Sequence, residues 1–240
     1  MDRHDRLVRA FVQLTDTLVA EFDVVELAQR LIETAMVLLP VDAAGIMLVD
    51  ADSNVRVLAS SNGRSHLLEL LQIRQGSGPC LLAYRTGKPV TVEDLRVDGH
   101  RWPHFTTRAV EYGLVSVQAF PLRLRTDRLG ALNLLRRTAG RLDDADLAIG
   151  QALADVATIG ILHQRVAARL DLLNQQLQSA LDTRMVIEQA KGILAARGGI
   201  GVDRAFHLLR THARVTGTRL VDAAHSVVEG GDTTAILAGG

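Results

Sequence analysis

The spacing of apolar residues changes twice along this chain, and those two changes limit the folds open to it. Leu7 to Val19 and Val24 to Leu39 carry apolar positions at helical spacing, with Asp23 placed as an N-cap and Pro40 closing the second run. From Ala43 the pattern becomes that of strands: "AAGIMLVD" (Ala43–Asp50) and "VRVLAS" (Val55–Ser60) flank the turn-forming "DADSN". Leu67–Ile73 is expected to be helical, "GSGPC" to break it, and "LLAYRTG" to form a short helix ending at Gly87. "PVTVED" is a brief strand, Arg96–Phe105 a loop, and Val115–Leu124 with Arg128–Arg136 a β-hairpin. From Asp143 the helical period returns, and beyond Leu181 no strand signal appears. Helices, then strands ending in a hairpin, then only helices predict an α+β chain: a central sheet flanked by helices, joined by a long helix to an all-α unit of three helices.

Composition narrows the function classes. At 240 residues two domains are expected, and Lys+Arg and Asp+Glu balance at 27 each, so a basic site has to be local. Aromatic residues make up 3%, too few for a surface that stacks many unpaired bases. Cys80 is the only cysteine, which fits a reducing compartment. The N-terminus "MDRHDRLVRAF" lacks an apolar signal core, and the longest apolar run, Ala152–Leu162, contains Asp155 and falls short of the ~20 residues of a membrane helix. A cytoplasmic chain without a membrane partner is expected.

Catalytic vocabulary is missing. His100 and His104 flank Trp102-Pro103 and do not share a helix face, so metal spacing fails. Cys80, at the end of the glycine-rich "GSGPC", reads as a buried small hydrophobe ahead of a reactive thiol. "GRSHLLE" and "RTGKPV" do not complete a phosphate loop, "QGSGPC" lacks a third glycine, and no G-x-S-x-G or acid/base carboxylate pair stands out. The expectation is a non-enzyme with no metal and no cofactor.

The C-terminal helices are different. Between Leu181 and Leu220 the bases are Arg184, Lys191, Arg197, Arg204, Arg210, Arg214 and Arg219, against only Asp182, Glu188 and Asp203. Arg184 and Lys191 share a helix side, Arg210 and Arg214 are i,i+4 neighbours, and Arg219 sits where a base opposes the helix dipole, so it reads as free for outside contact. In "RMVIEQAKGIL", Val186, Ile187, Ala190, Ile193 and Leu194 form an apolar side, while Met185, Gln189, Gly192 and Ala196 run up the flank. Gly192 costs about 1 kcal/mol in a helix interior relative to alanine. Either it admits an outside backbone or helix, or it allows close packing within the helical unit. Asp203 is expected to cap the next helix, and "GDTTAILAGG" to be a tail. Ile159, Val166, Leu170, Leu173, Leu177 and Ala180 keep a heptad rhythm, with His163 interrupting, as in a two-chain coiled coil or in a single amphipathic helix packing on its own sheet.

Ser179–Val228 resembles an ANTAR domain, the RNA-binding output module of bacterial transcription antiterminators. Arg184, Ile187–Leu194, Ala205, Phe206, Leu209, Arg210, Leu220 and Asp222-Ala223 carry the resemblance, which spans Leu177 to Gly230. It departs from the family at the turn before the last helix, where Val215 and Gly217 replace a polar Asn-containing turn. "GSGPCLLAYRTGKPVTVEDL", "RWPHFTTRAVEYGLVSVQAFPLRL" and "RLGALNLL" resemble a GAF domain of the kind placed ahead of ANTAR modules in actinobacterial regulators, over Asp23 to Leu162. The resemblances imply a GAF-like sensor over residues 1–162, a coiled-coil connector over 163–181, an ANTAR domain over 182–230 and a tail over 231–240. They imply paired leader-RNA hairpins as the target, a homodimer, and a small-molecule effector as a candidate GAF ligand. Arg184, Gln189, Lys191, Gly192, Arg197, Arg210, Arg214 and Arg219 would form the RNA site. Two rivals remain: a DNA-binding helix-turn-helix near residues 203–229, and a dimerising sensor acting through a protein partner.

Overall fold

The computed structural model describes residues 3–19, 23–50 and 52–239. Met1, Asp2, Ala20–Phe22, Ala51 and Gly240 lie outside them, so part of the expected "DADSN" turn and the ends of the first and last segments are not described. The fold divides into two compact units, Met1–Val166 and Ala167–Gly240.

The first unit contains α1 (Arg3–Val19), α2 (Val24–Leu38), β1 (Ala43–Val49), β2 (Val55–Ser60), α3 (Gly63–Gln75), α4 (Pro79–Thr86) and β3 (Val90–Val92). After these come α5 (Leu95–Asp98), a 3₁₀ turn (Gly99–Arg101), α6 (Pro103–Glu111), β4 (Ser116–Leu124) and β5 (Asp127–Arg136). The strands form one sheet in the order β2-β1-β5-β4-β3, with every neighbouring pair antiparallel. Side chains alternate along each strand. Ala44, Ile46, Leu48, Phe120, Leu122, Leu132 and Leu134 therefore meet α2 through Leu27, Leu31, Ile32 and Ala35. The intervening Ala43, Met47, Val117, Ala119, Ala131 and Leu135 face the layer of α3, α4 and α6. Helices on both faces explain why β1 reads as a continuous apolar run and is buried at every position.

Local chemistry sets the boundaries. Asp23 caps α2, accepting from Val25 N at 2.7 Å, as expected. Asn62 and Ser65 close a capping box at the start of α3, and Gly76 ends that helix in the left-handed region at φ 60°. The expected loop over residues 96–105 is instead α5, the 3₁₀ turn and the start of α6. Asp94 caps α5 by accepting from Arg96 N at 2.9 Å, Pro103 opens α6, and Trp102 and Phe105 are buried. Turn-forming residues were capping short helices that the buried aromatics hold down.

α7 runs unbroken from Asp144 to Gly198. Its first part contributes Leu153, Ala154, Ala157 and Ile161 to the core beside α2. Arg165 donates to the Val49 carbonyl at the end of β1 at 2.6 Å. An 18-residue window of α7 reaches a mean hydropathy of 1.5, enough by length and composition to cross a membrane, and 44% of it is buried inside the protein. That window exceeds the Ala152–Leu162 run, and packing on the sheet accounts for much of its apolar character.

The second unit consists of the end of α7, α8 (Val202–Thr216), α9 (Leu220–Val228) and α10 (Thr234–Ala238). Ala190, Leu194, Ala205, Leu208, Leu209, Ala213, Ala224 and Val227 form its core, with Val186, Ile187 and Ile193 partly buried at the edge. This is the apolar side read from "RMVIEQAKGIL". Gly199 (φ 60°) ends α7 and Gly217 (φ 68°) ends α8. The N-cap of α8 is Gly201, and Asp203 sits inside the first turn, a correction to the expected cap. The expected tail contains α10, which buries Ile236 in the core. Between the two cores α7 is bare: Val166, Leu170, Leu173, Leu177 and Leu181 are each about half exposed or more (46–64%).

Gly130 lies in β5 against β1, and a Cβ there would overlap the Met47 carbonyl oxygen. Gly130→Ala is expected to force the central strands apart and cost about 2 kcal/mol or more in urea denaturation of the full chain, as overpacking does. An unchanged midpoint would mean the strands tolerate the methyl.

Candidate nucleic-acid interface

The structure sorts the cations of the second unit by partner. Lys191 turns inward: its Nζ lies 2.9 and 2.8 Å from the two carboxylate oxygens of Glu188 and 5.5 Å from the centre of the Phe206 ring on α8. Its side chain is only 16% exposed. A lysine read as an outward phosphate contact is therefore paired and stacked within the unit. Arg197 points at the C-terminal segment, 3.5 Å from both the Gly231 carbonyl and Thr233 Oγ1, contacts that the expectation of a loose tail concealed.

Arg219 also has an internal use. It is the N-cap of α9, and its guanidinium donates twice to Asp222, Nε to Oδ2 at 2.8 Å and Nη2 to Oδ1 at 2.9 Å. That hydrogen bonding holds the Asp222 carboxyl below its ordinary range and raises the Arg219 guanidinium. The inference that Arg219 opposes the dipole without compensation is corrected. Asp222, in the first turn where the dipole favours an acid, supplies the compensation.

Arg210 and Arg214 differ from these. Both are exposed on α8, and among the described residues neither has a carboxylate within ion-pair distance. With His207, Thr211, Ala213, Thr218 and Leu220 they line a cleft of about 480 Å³. His207, Arg210, Thr211 and Arg214 fall at i, i+3, i+4, i+7, one stripe of α8, while Leu208, Leu209 and Ala213 turn toward the core. Thr218 joins them because Gly217 reverses the chain: Thr218 N donates to the Ala213 carbonyl at 3.0 Å, and its hydroxyl lies 2.9 Å from that of Thr216. Two guanidinium forks beside hydroxyls and an imidazole form a donor-rich recess suited to phosphate oxygens. Sequence reading found the two arginines and missed His207, Thr211 and Thr218. The helical stripe could have supplied the first two of these, whereas Thr218 needs the turn.

Arg184 and Gln189 are exposed on α7. Gly192 is exposed as well, and a Cβ there would meet nothing within 4 Å. Close packing inside the helical unit, one of the two readings of this glycine, is thereby excluded. In the first unit, Cys80 is fully buried and its thiol is pushed up, first by burial and then by Glu69, so the reactive-thiol reading has no support. With space free around it, Gly192→Ala is expected to stabilise the second unit by about 0.5–1 kcal/mol in thermal or urea unfolding, the ordinary helix gain. A loss of stability would show that another molecule already packs there.

Comparison with known proteins identifies both units by family. The GAF domain family model matches residues 23–161, and the ANTAR domain model matches residues 175–228. No curated protein matches the chain significantly. Among solved structures, the GAF domain of a phosphoenolpyruvate-protein phosphotransferase from Coxiella burnetii is 16% identical, with TM-score 0.54 over 68% of this chain and 97% of that one. The corresponding Acinetobacter domain is 15% identical, with TM-score 0.52 over 69% and 97%. Free methionine-R-sulfoxide reductase from Neisseria meningitidis, in complex with its substrate, is 17% identical, with TM-score 0.54 over 70% and 95%. At these identities the likeness is one of fold. The chain therefore belongs to the GAF family and carries an ANTAR domain after its GAF domain, the combination of a sensory and a regulatory module.

Proposed function

We propose that the chain is a signal-responsive, cytoplasmic transcription antiterminator that binds paired hairpins in leader RNA through its C-terminal helices and has no catalytic role. The observation that carries this reading is the recess under Arg210 and Arg214, which lack internal carboxylate partners in a domain matched as ANTAR. Residues 182–230 would bind RNA, residues 163–181 would connect, and residues 1–162 would sense, with a small-molecule effector as one candidate signal. Arg210 and Arg214 hold phosphates, and Arg184, Gln189 and Gly192 offer an exposed, partly smooth helix flank to the same RNA. Arg219 and Lys191 contribute less. The Arg219–Asp222 pair is solvent-exposed and weakly held, so a phosphate can compete for it. Pairing of α7 with a second chain along Ile159, Val166, Leu170, Leu173, Leu177 and Ala180 would bring two RNA-binding units into one assembly, matching two hairpins. A helix-turn-helix contact to duplex DNA is disfavoured because Arg219, at the N-cap, is the one arginine or lysine that α9 presents.

In a gel-shift titration with a two-hairpin leader RNA, Arg210→Ala/Arg214→Ala is expected to weaken binding on the order of ten-fold or more. It should also flatten the salt dependence by about one phosphate contact per arginine. Unchanged affinity would sink the site, and preferential competition by duplex DNA would favour the rival reading. For the seam, Leu173→Lys/Leu177→Lys is expected to turn a dimer into a monomer by light scattering. A wild-type monomer would rule out the paired arrangement.

A further inference from the structure

On the face of the sheet under α3 and α4, polar residues divide the core. Along β5 the side chains facing that layer are Ala131, Asn133 and Leu135, and along β1 they are Ala43, Gly45 and Met47. Ala131 and Met47 belong to one apolar cluster, Ala43 and Leu135 to another. Between them lie Glu69, Gln72 and Asn133, all without solvent exposure. Asn133 Nδ2 donates to Glu69 Oε1 at 2.8 Å, Gln72 Nε2 donates to Glu69 Oε2 at 3.1 Å, and the Cys80 backbone N–H donates to Gln72 Oε1 at 3.0 Å. Two glycines make room: a Cβ on Gly45 would lie 2.7 Å from Glu69 Oε1, and one on Gly78 would overlap Gln72. The cluster links α3, the sheet and the first turn of α4 through one carboxyl group.

No cation balances that carboxyl among the described residues. The surrounding elements present Gly45 from β1, Asn133 from β5, the titratable Cys80 from α4, and Leu68, Phe105 and Ala109 in the packing of α3 on α6. On β2, Arg56 is exposed and paired with Asp50, while His66 of α3 turns to Ser60. An ionised Glu69 would be a lone buried charge held only by neutral groups, the two amides and the Cys80 thiol, which is costly. A protonated one needs an acceptor, and Asn133 Oδ1 is buried without a hydrogen-bond partner. It belongs to the amide that already touches Glu69, so turning that amide over offers Oδ1 to the carboxylic proton.

We propose that the first unit is proton-responsive: Glu69 binds a proton while α3 is seated on the sheet, and loss of that proton favours release of α3 together with the start of α4. Burial raises the Glu69 carboxyl to about 7, against the opposing pull of hydrogen bonds from Asn133 and from the Cys80 thiol. A carboxyl whose folded value exceeds its unfolded one of 4.5 stabilises the closed state below the ordinary carboxylate range, and that stabilisation drains away as pH rises through about 7. The device is independent of what the second unit binds.

Amide hydrogen exchange of the full chain tests it, with rates corrected for the intrinsic pH dependence. Opening of residues 63–86 is expected to become more frequent, on the order of ten-fold, between about pH 5.5 and about pH 7.5. In Glu69→Gln, which keeps His66 and Cys80 but cannot titrate at residue 69, the change should vanish. A flat wild-type profile, or an equal slope in the variant, overturns the proposal. Should the variant fail to fold, infrared spectroscopy of the wild-type chain with ¹³C-labelled glutamate decides. Glu69 is the sole fully buried glutamate among the described residues, so a protonated carboxyl band vanishing near pH 7 supports the proposal. No such band at about pH 5.5 refutes it.

Discussion

The helix α7 has to satisfy two separate cores with one continuous run of residues. Leu153, Ala154, Ala157 and Ile161 are buried with the sheet, while Ala190 and Leu194 are buried against α8 and α9. The intervening turns carry leucines and a valine at heptad spacing with about half of each side chain in solvent. Burial of apolar surface is the main source of stability, so a long helix survives as a bare connector only if both ends are anchored. Here they are, the first end also by Arg165 on the Val49 carbonyl. Any other chain that covers the bare stretch inherits an unused apolar stripe.

Charge in the second unit is allocated as economically as apolar surface. Each cation is spent either on an internal partner or on solvent. Glu188 and Phe206 hold Lys191, Asp222 holds Arg219, and the segment before α10 holds Arg197. Arg210 and Arg214 are left facing a recess. A net count of bases therefore overstates the surface available to an anion, and the distribution of carboxylates three residues away decides the remainder.

The first unit shows the opposite situation, a negative group with no counter-charge. Glu69, Gln72 and Asn133 form a polar seam through an apolar layer, and Gly45 and Gly78 exist in that layer as clearance for their side chains. Such a seam joins three elements at one titratable atom pair, so the packing of α3 and α4 carries a chemical condition that the surrounding leucines and alanines do not.

Periodicity made much of this fold legible. Helical spacing before Pro40, alternation in β1, β2, β4 and β5, and helical spacing again from Asp143 identified the sheet, the long helix and the helical C-terminal unit, because burial on one face imprints a repeat on the residues themselves. The core stripe of "RMVIEQAKGIL" and the pair Arg210 and Arg214 were readable for the same reason. Three things were not. The helices over residues 95–111 and α10 depend on Trp102, Phe105 and Ile236 finding burial far along the chain. The Phe206 ring beside Lys191 and the Gly231 and Thr233 partners of Arg197 depend on how distant segments pack, whereas Glu188 and Asp222 stand three residues from Lys191 and Arg219 at a spacing the sequence displays. The meeting of Glu69 with Asn133, across 64 positions, depends on strand register. Local spacing records which face is buried and which carboxylates stand three residues from a base, and only the folded chain decides what the other buried or charged groups meet, because those contacts join residues with no fixed separation in sequence.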